Sequence, residues 1–244
     1  WMLLAYHKTA CASSSRSGFD PQNAFDESIK SAWSATSGNS GEWLSVDLGK
    51  EYNVEAVQVN FADCFTKKKR APMKEYGGTF TQERYIEEEL VRYEYRIEYS
   101  SNGTDWAPYE ETQNTVFPHK LIPRRARARY IRIVFASAPY GQNFSISGFR
   151  VFGLDNNKKP SAVSGENAER TNATEARLSW NSQNDAMGYC IRLGIAPDKL
   201  YNSILLYGQN DYTVTFLNKE TEKYYFAVDS FNESGITKGS INEF

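Results

Sequence analysis

Alternation is the feature that most constrains this chain. Apolar side chains occupy every second position over short runs: Leu44, Val46 and Leu48 within Glu42–Gly49; Val57, Val59 and Phe61 within Val54–Phe61; then Tyr93, Tyr95, Ile97 and Tyr99; then Ile131, Ile133 and Phe135. Successive side chains of a strand point to opposite faces, so each run predicts a half-buried strand with one face on a core. Only Thr81–Leu90 and Ser164–Thr174 have the composition of helices, and neither carries a clean helical stripe of apolar residues. Polar turns punctuate the runs, as at Ser101-Asn102-Gly103 between Tyr99 and Trp106. Many short strands with polar turns predict an all-β chain of sandwich or barrel type.

The alternation is interrupted at Leu154–Pro160 (LDNNKKP), a polar stretch ending in proline, and resumes in Ala176–Trp180, Gly188–Leu193, Tyr212–Phe216 and Tyr224–Ser230. This divides the 244 residues into a first domain at 1–153 with a lead-in strand, a linker at 154–160 and a second domain at 161–244, both of ordinary domain size. Asp63–Glu89 has no core pattern. It carries Lys67–Arg70, Gly77-Gly78 and Glu87–Glu89, and reads as a long loop that offers a contact surface.

Several function classes are excluded by what the chain carries. Net charge is −2, so no global field favours nucleic acid or an anionic membrane. Arg124, Arg125, Arg127, Arg129 and Arg132 form a basic cluster, but without the interleaved aromatic platforms that track a phosphate backbone; Arg125, Arg127 and Arg129 read as one exposed strand face, with no nucleic-acid partner. Cys11, Cys64 and Cys190 are too sparse for a disulfide framework or a zinc motif, and Cys190 reads as a small core residue. No run reaches the ~18 apolar residues of a membrane helix. His7 and His119 have no ligand partner at useful spacing, and no nucleophile, phosphate-loop or metalloprotease motif is present, so the chain itself is expected to be non-catalytic. Its start at Trp1-Met2 lacks an initiator methionine and reads as a cut from a longer chain, with any export signal upstream.

Ala12-Ser13-Ser14-Ser15, Asn23-Ala24-Phe25-Asp26, Trp33 and Glu42-Trp43-Leu44-Ser45-Val46-Asp47-Leu48-Gly49 resemble the coagulation-factor C-type, or discoidin, family, which includes family 32 carbohydrate-binding modules. Tyr95–Trp106, Ala128–Ile133 and Gly148–Gly153 extend the likeness over about residues 10–153. The resemblance implies a discoidin-like jelly-roll β-sandwich that presents ligand loops at one end. Those loops would carry Arg16 and Phe19; Asp63 and Phe65; and Tyr140, Gln142 and Asn143 as sugar-binding candidates, a ring stacking on the apolar face of a pyranose and polar groups meeting its hydroxyls. Trp33, Trp43 and Trp106 read as core or rim packing. Ala62-Asp63-Cys64 stands where many such modules place an arginine. The resemblance also implies a structural calcium held by Asp26 and Ser31 with loop carbonyls, although Gly148 stands where a coordinating glutamate is expected.

The second part resembles fibronectin type III, a second β-sandwich. Trp180 matches the family's strand-B tryptophan, and Tyr224 its corner tyrosine, whose hydroxyl bonds back to the main chain. The order of modules, with Trp1–Tyr6 and Gly194–Tyr201, is similar to the C-terminal part of bacterial family 43 glycoside hydrolases. That likeness implies an accessory region of a periplasmic, cell-surface or extracellular enzyme acting on arabinose- or xylose-containing glycans, with the upstream catalytic domain as partner. Two other readings stand beside it. One is a structural spacer that packs on the catalytic domain without binding sugar. The other is adhesion to protein or lipid, with Phe65 and Lys67–Arg70 as the contact.

Overall fold

The computed structural model describes residues 1–62, 64, 92–115, 119–219 and 223–244, with the side chains of Thr112 and Tyr140 left aside. Thr81–Leu90, Asp63 and Phe65 therefore lie outside the described residues. The chain divides into two units, Leu3–Gly153 and Leu154–Phe244. Among the described residues every regular element is a strand or a single 3-10 turn, and no helix is long and apolar enough to cross a membrane.

The first unit contains β1 (Met2–Leu3), β2 (Thr9–Ala12), β3 (Trp33–Ser34), β4 (Trp43–Phe61), β5 (Tyr93–Ser100), β6 (Ala107–Thr115), β7 (His119–Ser137) and β8 (Ser145–Leu154). The order is β1-β8-β4-β7-β5-β6, with β2 on β4 and β3 on β8. The alternating residues do what their spacing predicts: Leu44, Val46, Leu48, Val57, Val59, Ile97, Ile131 and Ile133 are fully buried in one core. Each such side chain stabilises the fold by about 2 kcal/mol relative to exposure.

β4 and β7 form one long antiparallel ribbon. Trp43–Asp47 pairs with Tyr130–Val134 and Tyr52–Asn60 with His119–Ala128, with a break in register between Asp47 and Tyr52. Gly49 lies in the break at φ 90°, a backbone conformation that costs a side-chain-bearing residue free energy. Its N–H donates to Asp47 Oδ1 at 2.7 Å. The ribbon turns over here. As a result Phe61, at one end of the ribbon, lies 6.4 Å ring to ring from Phe135, which flanks the other end. Both ribbon ends thus arrive at one pole of the unit. Phe61 also stacks on Tyr93 at 4.0 Å, and Phe135 on Phe144 at 4.4 Å.

The second unit contains β9 (Ser164–Arg170), β10 (Ala176–Asn181), β11 (Gly188–Gly194), β12 (Asn202–Tyr207), β13 (Asp211–Val214), β14 (Tyr225–Asn232), β15 (Gly235–Thr237) and β16 (Asn242–Glu243). They form two antiparallel sheets, β13-β10-β9 and β12-β11-β14-β15 with β16 on β14. Trp180, Tyr189, Ile191, Leu193, Phe226 and Val228 fill the core. The Tyr224 hydroxyl accepts the Asn218 N–H at 2.7 Å.

Two expectations are corrected in this unit. Ser164–Arg170, helical in composition, is a strand: it pairs antiparallel with β10 and packs Ala168 against the core. Edge pairing outweighs the weak helix propensity of Glu166, Ala168 and Glu169. Cys190 is half-buried on the face of β11 opposite Tyr189 and Ile191, so it is no core residue. The stretch Leu154–Pro160 is bonded along this unit: Asp155 N–H donates to Glu233 O at 2.9 Å, Asn232 Nδ2 to Lys158 O at 3.1 Å and Thr237 Oγ1 to Pro160 O at 2.6 Å.

Candidate functional site

The pole where the ribbon ends meet gathers three loops that are far apart in sequence. The first runs between β2 and the 3-10 turn Pro21–Ala24, the second between β3 and β4, the third between β7 and β8. Arg16 N–H donates to Ser34 O at 2.8 Å and Ser34 N–H to Phe19 O at 3.2 Å, which ties the first loop to β3, and Thr36 N–H donates to Ser14 Oγ at 3.0 Å, which ties it to the second loop. Ser145 Oγ donates to Ser34 Oγ at 2.8 Å, which joins β8 to β3, and Asn143 Nδ2 donates to Ala35 O at 2.8 Å, which ties the second loop to the third. Gly38 seals the join: a Cβ there would stand 2.3 Å from Gln142 O, so no larger residue fits without moving the third loop.

Within this cluster the sequence candidates divide. Arg16 is exposed and Phe19 half-buried on the first loop. Tyr140 lies in the 3-10 turn Pro139–Gly141. Gln142 and Asn143, expected on the surface, are 0% and 2% exposed. Their amides brace the loop instead, Gln142 Nε2 donating to Tyr93 OH at 2.8 Å and Asn143 to Ala35 O. A buried amide must find partners, and the nearest were the chain's own groups. Gln142 Oε1 is buried without a hydrogen-bond partner. Asp63 and Phe65 lie outside the described residues.

One residue at the pole escaped the sequence reading. Glu42 accepts hydrogen bonds from Ser13 Oγ, from Ser14 Oγ at 2.8 Å and from Ser37 Oγ at 2.7 Å, so a single carboxylate clasps the first loop to the second. Partial burial alone would raise its pKa. The hydroxyl donors outweigh that and hold the carboxyl below the usual range. The serines are visible in sequence, but nothing local links them to Glu42.

Four arginines of the basic cluster are ion-paired across the strands. Arg125 meets Glu55 at 2.8 Å, Arg127 meets Glu51 at 3.0 Å, Arg129 meets Asp47 at 2.8 Å, and Arg132 meets Glu98 while lying over the Trp106 ring. The Arg129 guanidinium holds the Asp47 carboxyl below its ordinary value.

The residues implied for calcium offer a poor donor set. Asp26 and Ser31 do meet, Ser31 Oγ donating to Asp26 Oδ2 at 2.7 Å, while Asp26 Oδ1 accepts Ser28 N–H at 2.8 Å. Both carboxylate oxygens are thus engaged within the loop. Gly148 supplies no oxygen from a side chain, and a Cβ there would lie 3.6 Å from a guanidinium nitrogen of Arg150. Among the described residues no group of three or more His, Cys, Asp or Glu is arranged to hold a metal. A calcium ion wants six to eight oxygens, roughly, and a nearby fixed cation opposes it. These residues do not fit a calcium ion.

Comparison with known proteins gives one family match: residues 9–81 match the F5/8 type C domain. No curated protein matches the chain. Among solved structures, the chain is similar to chitosan-binding module 1 of a chitosanase/glucanase from Paenibacillus sp. IK-5, at 23% identity over 63% of this chain and 100% of that one, with a TM-score of 0.48. It is similar to the CBM32 of AlyQ in complex with 4,5-unsaturated mannuronic acid, at 18% identity over 62% and 98% of the two chains, TM-score 0.46. A fucose-binding module of Streptococcus pneumoniae is similar at 18% identity over 62% and 95%, TM-score 0.44.

Proposed function

We propose that this chain is a non-catalytic, carbohydrate-binding accessory region. The first unit binds a glycan at the pole described above, and the second is a fibronectin type III-like module. The observation that carries the reading is the F5/8 type C match at residues 9–81, because that stretch supplies two of the three loops gathered at the pole. Arg16, Phe19 and Tyr140 are the residues assigned to the ligand. The strand order of the second unit and the bond from Asn218 N–H to the Tyr224 hydroxyl support the fibronectin assignment. The finer part of the proposal is an arabinose- or xylose-containing glycan and an upstream family 43 glycoside hydrolase domain at a periplasmic, cell-surface or extracellular location. It rests on the order of modules and on Trp1–Tyr6 and Gly194–Tyr201. Tethering would raise the local concentration of substrate for that domain.

Affinity electrophoresis against a panel of plant and host polysaccharides tests this. Retardation by an arabinose- or xylose-rich glycan, lost in both Arg16→Ala and Tyr140→Ala, is the expected result. Retardation that survives both variants would move the site elsewhere. A second reading, a spacer that binds no sugar, is favoured by the inward amides of Gln142 and Asn143, which leave the pole fewer polar groups for hydroxyls. Absence of retardation by every glycan would select it.

A further inference from the structure

The donor set that fails to fit calcium has a feature of its own. Glu27, in the loop between Asp26 and Ser31, has φ 59°, a left-handed conformation uncommon for a non-glycine residue. Something must hold it there, and its carboxylate is the only long polar group it has. Arg150 Nε, on β8, lies 2.8 Å from both Glu27 oxygens, and the two side chains are 20% and 31% exposed. Arg150 Nη1 also donates to the Asn60 amide oxygen at 2.7 Å, in the amide orientation that satisfies its neighbours. The guanidinium is thereby fixed from β4 as well as from the loop. Gly148 and Arg150 share one face of β8, two residues apart, and the bare glycine leaves the room that this head group uses.

We propose that the Arg150 guanidinium acts as a built-in cation that pins the Asp26–Ser31 loop to β8 and β4, so that the first unit holds this loop without calcium. A half-buried fixed cation, hydrogen-bonded on two sides, supplies the counter-charge of Glu27. A divalent ion beside it would face repulsion and would find the Asp26 oxygens already engaged.

Hydrogen exchange read by mass spectrometry over residues 26–31 of the whole chain, in chelator and in millimolar calcium, tests the proposal. Equilibrium dialysis with radioactive calcium accompanies it. The native chain is expected to exchange at the same rate in both solutions and to retain no calcium. Arg150→Gln is expected to speed exchange over 26–31 about tenfold or more. Glu27→Gln, which removes the charge from the other side and leaves the β8 face intact, is expected to do the same. Retention of one calcium per chain, or slower exchange of the native chain in calcium, would overturn the proposal. So would unchanged exchange in Glu27→Gln, which keeps the test decisive if Arg150→Gln does not fold.

Discussion

At the scale of single residues, the pole depends on one carboxylate and one missing side chain. Glu42 receives three serine hydroxyls from two loops, and Gly38 lets a third loop come within contact of its backbone. Glu42→Gln keeps the shape and removes the charge that those hydroxyls point to. It is expected to cost about 1 kcal/mol, discounted for solvent screening. The folded pKa of Glu42 lies below its ordinary value. The contribution is therefore present above the unfolded pKa and lost as pH falls through the folded one. Urea unfolding of the native chain and of Glu42→Gln at neutral pH and in acid should show the difference at neutral pH and convergence in acid. At this scale the sequence was only partly legible. Arg16 and Phe19 were located on a pole loop by resemblance alone, yet nothing local says that Gln142 and Asn143 turn inward. Side-chain direction in a loop is decided by partners such as Tyr93 and Ala35, which lie far off along the chain.

At the scale of elements, alternation made β4, β5, β7, β10, β11, β13 and β14 legible, because a half-buried strand writes its geometry into every second residue. It failed at β9, an edge strand whose exposed residues have no core to report. It also could not show how β11 and β14 are joined. Asp229, 1% exposed in β14, accepts Arg192 through both oxygens at 2.8 and 2.9 Å, Lys238 Nζ at 2.7 Å and Gly239 N–H at 3.0 Å. Burial would raise its pKa, but Arg192 and Lys238 lower it below the ordinary value. Asp229→Ala leaves the half-buried Arg192 guanidinium without its counter-ion. It should destabilise the second unit by about 3 kcal/mol, read as a fall in the denaturant midpoint with an unchanged slope. A loss below about 0.5 kcal/mol, the range of an ordinary surface substitution, would show that the pair does not hold the strands together.

At the scale of the whole molecule, the division lies at Gly153–Leu154, and the stretch after it belongs to the second unit. Leu154–Pro160 reads as a linker from composition, since Asn156, Asn157, Lys158 and Lys159 are polar and Pro160 ends the run. Its attachment runs through main-chain atoms, which leave no mark in composition: the Asp155 N–H and the Lys158 and Pro160 carbonyls bond to Glu233, Asn232 and Thr237. A chain beginning at Leu154 should therefore melt about 5–10 °C above one beginning at Ser161. Equal melting temperatures in a thermal scan would return the stretch to the status of a linker.

The stacked pair of Phe61 and Tyr93 has a consequence for what the pole can accommodate. These rings lie 4.0 Å apart. They fasten the end of β4 to the start of β5, two strands that β7 separates in the sheet order. Stacked rings contribute about 1 kcal/mol beyond the area they bury. The pole is thus held from within by its own aromatic core, and the loops above it are set on a base that does not depend on what they bind.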